Sequence, residues 1–419
     1  VKFDLLIKGG DVVDPAGSHS GRLDVGITRG LVSAVDRDLS PEAAAETIDA
    51  SGRLVTPGLI DLHTHIFRGV TFWAVDADAY GSRTGVTTWV DAGSPGAYTL
   101  PGFREFIVEQ ARVRILTFLN IASIGLVGHN YELSHAALAD PALCAMLARQ
   151  HSDIVVGIKA RIGTPTVGTT GVEGLRRAKE AAAELDVPVM AHIATGPPGI
   201  TDVVDLMGDG DILTHCFTGQ DMKIVDAHGM LLPAVAAARE RGMLFDLGHG
   251  SGSFAFHIAE PLLAAGVVPD VLSTDIHQMS TYGPMFDLPT VLSKFLAMGL
   301  SLEDVIARAT SAPARALGLA DKIGTLKPGA AGDVAIFDVK RGSFAFYDIG
   351  RDMRLGSKLL VNDLTIVGGR VLERHAEPPA APWMSHDFSL EQNFFVNTDL
   401  RDELLARGHT PGQMAQSAT

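Results

Sequence analysis

The chain predicts an α/β fold: a distorted (β/α)8 TIM-type barrel with a small split β-sandwich domain formed by its N- and C-terminal segments. Three features of its 419 residues lead there. Between residues 57 and 320, apolar strand-like runs alternate with helical stretches, the pattern of a parallel sheet with crossover helices. Eight such runs can be counted, 58–66, 85–93, 114–123, 153–161, 188–194, 210–217, 242–249 and 270–277, and eight strands close a barrel. The flanking pieces, 1–56 and 321–375, are β-like and broken at short intervals by Gly, Pro and Asp, so they are expected to pair with each other.

In chain order, Leu5-Leu6-Ile7-Lys8 and Asp24-Val25-Gly26-Ile27 are the first short strands. Within the barrel, segment 173–187 shows the helical period, with Leu175, Ala178, Ala182 and Leu185 on one face, and Pro188 stops it. After residue 320 the runs Asp333–Asp338 and Leu364–Val371 return to the strand pattern. The tail 376–419 opens with Pro378, Pro379 and Pro382 and then carries Phe388, Phe394 and Phe395. An arm onto a neighbouring subunit of a homo-oligomer and a loosely ordered end are both open readings of it.

Hydrophobic residues make up 46% and charged residues 20%, the balance of a globular chain rather than a disordered one. Acidic residues outnumber basic ones 49 to 34, giving a net charge of -15 without a basic cluster, so no nucleic-acid partner is expected. Cys144 and Cys216 are too few for a disulfide framework and suit a reducing compartment. Val1–Gly10 is too short and too soon interrupted for a signal h-region, and no apolar run approaches the roughly 20 residues that span a bilayer. A cytoplasmic protein with no membrane partner is the expectation.

Chemistry-bearing residues fall at the ends of five runs: His63-Thr64-His65, Lys159 with Arg161, His192, His215, and Asp275. Residues two apart on a strand share a side, and the C-terminal ends of barrel strands converge on one face, where active sites are built. Imidazoles and a carboxylate are the usual ligands of Zn²⁺ and similar ions. A lysine does not fit that company as an ammonium, which would repel a cation and is costly to bury. As a carbamate, after capture of CO2, it would be anionic and bidentate.

This set resembles the amidohydrolase superfamily, over about residues 50–340, and Pro57-Gly58-Leu59-Ile60-Asp61-Leu62-His63-Thr64-His65 is close to that family's first-strand signature. The resemblance is to the binuclear branch that includes dihydroorotases. It implies that His63, His65 and Asp275 bind one divalent ion, that His192 and His215 bind another, most simply zinc, and that a CO2-derived carbamate on Lys159 bridges the two. It also implies a hydrolase in which a metal-held hydroxide attacks a carbonyl, with Asp275 as general base and then general acid.

The formal charge of such a site is about one positive unit, which would draw in a small anionic substrate. Arg161 could hold its carboxylate by paired hydrogen bonds. Where dihydroorotases carry a substrate-clamping arginine two residues after the second histidine, this chain has Phe67, with Arg68 one position late. The phrases around Asp91, Lys159, His215 and Asp275 look instead like a related group of deacetylases, associated with acetyl esters of α-hydroxy carboxylates. That resemblance implies an esterase; a cyclic amidase of the dihydroorotase or hydantoinase type and an N-acyl amino acid deacetylase are the alternatives. Tyr98, His249 and Tyr282 are further candidate substrate contacts, and His277 a candidate supporting residue. Cys216 is expected to be a buried thiol. A one-metal deaminase would need a glutamate where Thr195 stands, and an inactive scaffold would be expected to have lost ligands.

Overall fold

The structure, a computed structural model, describes residues 2–376. Strands β1 (Phe3–Asp14), β2 (His19–Thr28), β3 (Leu31–Asp36), β4 (Ala44–Asp49) and β5 (Leu54–Pro57) open the chain. Seven parallel strands follow: β6 (Leu59–Thr64), β7 (Val86–Gly96), β8 (Arg114–Asn120), β9 (Val155–Ile162), β10 (Val189–Ile193), β11 (Ile212–Thr214) and β12 (Leu244–Asp246). The chain then returns to the first sheet with β13 (Val334–Tyr347), β14 (Met353–Val367) and β15 (Arg370–Val371).

The eighth run is not a regular strand, yet it closes the ring. Val271 bridges to Asp246 on β12 and Ile276 bridges to Thr64 on β6, both in the parallel sense. The run cannot continue as a strand because Asp275 takes a left-handed φ of 51°. Ile60, Leu62, Val90, Phe118, Met190, Ile212 and Val271, from around the whole ring, pack as one apolar cluster. Contact between strands that are not neighbours requires that these side chains fill the barrel.

The two chain ends meet as expected. β13 pairs antiparallel with β5, Val334 opposite Pro57 and Phe337 opposite Leu54, and β1 lies on the other side of β5. The result is one connected, mixed eight-stranded sheet with a core of its own, including Leu5, Ile7, Val25, Val55, Val334 and Ile366. A single residue, Gly58, separates β5 from β6, so the sheet is coupled directly to the strand that carries His63.

The expected helix at 173–187 runs Glu173–Leu185 and buries Leu175, Ala178, Ala181 and Ala182. It ends at Leu185, three residues before Pro188, because Asp186 turns left-handed and Val187 bonds back to the Ala182 carbonyl. Among the described residues no helix is long and apolar enough to cross a membrane. The tail from 377 onward, with Phe388, Phe394 and Phe395, lies outside the described residues.

Candidate metal centre

His63 and His65 are brought to the barrel mouth by β6 and held there by the eighth segment. Asp275 N–H donates to the His63 carbonyl at 2.7 Å, and His65 N–H to the Ile276 carbonyl at 3.0 Å. Asp61, buried below them, accepts from Thr274 Oγ1 at 2.5 Å and from Thr274 N–H at 3.0 Å. Asp91 on β7 accepts from the N–H groups of Ile66 and Ser94, which fixes the chain just beyond His65. Asp275 Oδ1 thus lies 3.3 Å from His63 Nε2 and 3.1 Å from His65 Nε2, and the three residues form a compact group with metal-ligand spacing. Asp275 and His215 both sit at positive φ, 51° and 66°, a local strain that recurs at functional sites.

The far side of each imidazole decides where its proton sits. His215 Nδ1 is 2.6 Å from the Gly248 carbonyl, which can only accept, so the proton is on Nδ1 and Nε2 keeps its lone pair. That Nε2 lies 2.7 Å from His192 Nδ1. His63 Nδ1 faces Thr214 Oγ1 at 2.8 Å and Asp246 Oδ2 at 3.3 Å, which leaves Nε2 turned toward Asp275 and Lys159. Asp246 is itself held by the hydroxyls of Thr214 and Ser273. A carboxylate behind a ligating imidazole is the usual support of a metal-binding histidine. Burial, reinforced by the neighbouring positive charges, holds His63, His65 and His192 far below the ordinary imidazole range. His215 is pushed down to about 4, chiefly by burial. Four neutral imidazoles beside a carboxylate fit a divalent cation.

Lys159 on β9 is fully buried in the same cluster. Its Nζ lies 3.3 Å from His63 Nε2 and 3.2 Å from Met190 Sδ, and it makes no ion pair with a carboxylate among the described residues. Burial pushes this amine down to about 7 against the opposing pull of Asp275 and Asp246.

Arg161, two residues further along β9, is only 7% exposed. Nη1 donates to Glu132 Oε1 at 3.1 Å and to the His129 carbonyl at 3.4 Å, and the guanidinium lies 5.6 Å from the Trp73 ring centre. Trp73 also meets the rings of His65 and His277. Glu132 is buried, its Oε2 has no hydrogen-bond partner among the described residues, and burial raises its pKa. Glu132, Trp73 and Asp246 escaped the sequence reading: the first two sit in loops without periodic pattern, and Asp246 resembles any strand-end aspartate.

The remaining candidates are spread out. His249 is buried with both ring nitrogens engaged, Nδ1 with the Gly250 carbonyl at 2.9 Å and Nε2 with Lys294 at 2.8 Å, so no ring nitrogen is left to face a substrate. Tyr98 is 69% exposed and Tyr282 half-buried in a 3-10 turn; neither hydroxyl is hydrogen-bonded among the described residues. His277 is buried against Trp73. Phe67 packs on Phe103 in the core while Arg68 is exposed. Cys144 and Cys216 are buried free thiols.

Two other features lie apart from this centre. A cavity of about 670 Å³, lined by Lys179, Asp211, Arg308 and Arg315, opens at the N-terminal ends of the strands, the face opposite the ligands. His257, Asp348 and Asp352 also have metal-ligand spacing, but Asp348 is already occupied by the N–H groups of Phe256, Gly350 and Asp352.

A parallel barrel whose strand ends gather four imidazoles, an aspartate and a buried lysine defines a metal-binding barrel enzyme. The family model described as "Amidohydrolase family" matches residues 54–372, and the chain belongs to that family of hydrolases. It is 33% identical over 365 residues to a deacetylase of Agrobacterium fabrum, covering 86% of this chain and 89% of the relative. To a deacetylase of Enterococcus faecalis it is 33% identical over 375 residues, 88% and 99% of the two chains. Crystal structures described as an adenine deaminase and a dihydroorotase superpose with TM-scores of 0.82 and 0.81, each at 33% identity. Each superposition covers 88% of this chain, and 99% and 97% of the other chain respectively.

Proposed function

We propose that the chain is a metal-dependent deacetylase that hydrolyses an acetyl ester of a small α-hydroxy carboxylate. The observation that carries the proposal is the pairing on β9 of a buried lysine among the ligand candidates with a buried arginine two residues on. His63, His65 and Asp275 would hold one divalent ion and His192 and His215 a second, zinc being the natural first choice, with a carbamate on Lys159 reaching both. When bound, such ions supply a Lewis acid for the acyl carbonyl and water of lowered pKa.

The chain's own residues supply the rest. The free amine of Lys159, favoured by burial, forms the carbamate by bonding to the carbon of CO2 and losing a proton, which leaves an anionic carboxylate on a neutral nitrogen. Arg161 offers Nη2 and Nε, both without a hydrogen-bond partner among the described residues, to the substrate carboxylate. Asp275 takes the proton of the attacking water and returns it to the ester oxygen as the acyl C–O bond breaks, releasing acetate and the hydroxy acid. A deaminase is disfavoured because Thr195 stands where a ring-protonating acid is needed, its hydroxyl bonded to Gln220. Two buried thiols suit the cytoplasm, and a homo-oligomer is the expected assembly.

The test is turnover by protein reconstituted with zinc and bicarbonate, on a panel of α-acetoxy carboxylates, N-acetyl amino acids, cyclic amides and adenine. Preference for the acetoxy carboxylates, abolished by a chelator, is expected. Turnover confined to the cyclic amides or to adenine, or a full rate after chelation, would overturn the proposal.

A further inference from the structure

Lys294 lies on the helix Leu288–Ala297, fully buried, outside the ligand set and unused by the reaction proposed above. Its Nζ donates to three acceptors on three separate segments: His249 Nε2 at 2.8 Å, the Pro284 carbonyl at 2.6 Å and the Tyr347 carbonyl at 2.8 Å. An ammonium has three N–H donors, so its capacity is filled. The nearby carboxylates of Asp348 and Asp287 favour this charged form against the burial that draws the amine down to about 7.

Each acceptor belongs to a segment with a role at the centre or beside it. Because His249 Nε2 accepts, the ring proton is on Nδ1, which donates to the Gly250 carbonyl. The same turn carries Gly248, whose carbonyl orients His215, and Gly250, whose Cα faces Asp275 so closely that a Cβ would lie 2.6 Å from Oδ2. Pro284 belongs to the loop leaving Asp275, where Ser280 Oγ donates to the Asp275 carbonyl at 3.3 Å. Tyr347 ends β13 of the sheet built from the chain ends; two residues on, Ile349 N–H donates to the Phe254 carbonyl, and the Phe254 ring stacks on His249 at 4.6 Å.

We propose that Lys294 is a positioning residue for the metal centre: through His249 it fixes the 247–250 turn behind His215 and Asp275, and it ties that turn to the end-built sheet. The idea goes beyond the functional reading, since it concerns how the ligands are held and not which bond is cleaved.

The test compares Lys294→Met, His249→Phe and His249→Gln with Ser293→Ala. Ser293 neighbours Lys294 on the same helix and bonds to Pro289 and to the Leu360 N–H, so its variant reports loss of helix and sheet contacts alone. Zinc affinity is read by competition with a chromophoric chelator, alongside the thermal midpoint. Lys294→Met and His249→Phe are expected to bind zinc at least tenfold more weakly than the wild type. Ser293→Ala should lower the midpoint with unchanged affinity, and His249→Gln, which restores an acceptor for the ammonium, should recover most of the loss. Either of the first two variants matching the wild-type affinity, or losing no more than Ser293→Ala, overturns the proposal; if Lys294→Met does not fold, the two His249 variants decide it. Zinc affinity is measured without substrate, so a wild-type protein that binds zinc but cleaves no acetyl ester sinks the functional reading and leaves this one standing.

Discussion

Arg161 donates through Nη1 to Glu132 Oε1 at 3.1 Å, and both side chains are buried beside the metal-ligand cluster. Glu132 uses one edge of the guanidinium and leaves the rest available, so it aims the arginine and does not consume it. Truncating one partner of a desolvated ionic contact costs about 2 to 4 kcal/mol, roughly 30- to 1,000-fold. Arg161→Met is therefore expected to lower kcat/KM for an α-acetoxy carboxylate by that factor, mainly through KM. Its effect on the uncharged methyl ester of the same substrate should be under about fivefold. Equal losses on both substrates would show that Arg161 supports the fold and does not read the carboxylate.

Lys159 gives a pH-dependent signature in metal-free protein kept free of CO2. Burial lowers the folded-state value to about 7, while the unfolded chain keeps the ordinary lysine value of 10.5. Between these limits the unfolded state binds the extra proton, so this residue makes stability rise with pH, by about 1.4 kcal/mol per unit at most. Below about 7 both states are protonated and the slope from this residue vanishes. Urea unfolding from pH 7 to 9 should therefore show a shallower rise for Lys159→Met than for the wild type. Parallel pH profiles would mean that the buried amine is not held as the free base.

Asp246 supports His63 from behind, with Oδ2 3.3 Å from Nδ1 and 2.7 Å from Thr214 Oγ1. Loss of such an outer partner typically weakens metal affinity about 10- to 100-fold. Asp246→Asn should do so while leaving the circular-dichroism spectrum intact, as read by chelator competition. An affinity within twofold of the wild type would assign Asp246 to packing alone.

How much of this was legible in the sequence follows from what each part depends on. The six candidate ligands could be named because their positions are set by strand ends, and the parallel barrel brings strand ends together whatever the loops do. The eighth run lies where the sequence pattern puts it, but its irregular form has no sequence signal: Asp275 turns left-handed next to Thr274, whose hydroxyl bonds to Asp61, a contact 213 residues distant. In the sequence the glycine-flanked segment around His249 reads as a flexible loop, which suggests a substrate contact. In the structure a buried lysine on a distant helix fixes it, and no periodicity announces that pairing. Glu132 and Trp73 were missed for a related reason, since residues carried by irregular loops acquire neighbours only through the tertiary fold.

Gly250 provides the sharpest steric test of the centre. It sits at a φ of 54°, and a Cβ there would lie 2.6 Å from Asp275 Oδ2, a heavy-atom approach that forces the carboxylate to move. Positive φ in a residue other than glycine costs about 1 to 3 kcal/mol where the surroundings impose it. Gly250→Ala should therefore lower stability by about that much. Because the displaced group is Asp275, which lies within 3.3 Å of both His63 and His65, the variant should lose zinc affinity and activity far beyond what the stability change explains. Gly252→Ala is the control: it is close by in the same loop, and its added Cβ meets nothing nearer than Gln220 Nε2 at 3.4 Å, an ordinary contact. If the two variants bind zinc equally well, Asp275 is not confined by the 247–250 turn, and the close packing seen there does not serve the centre.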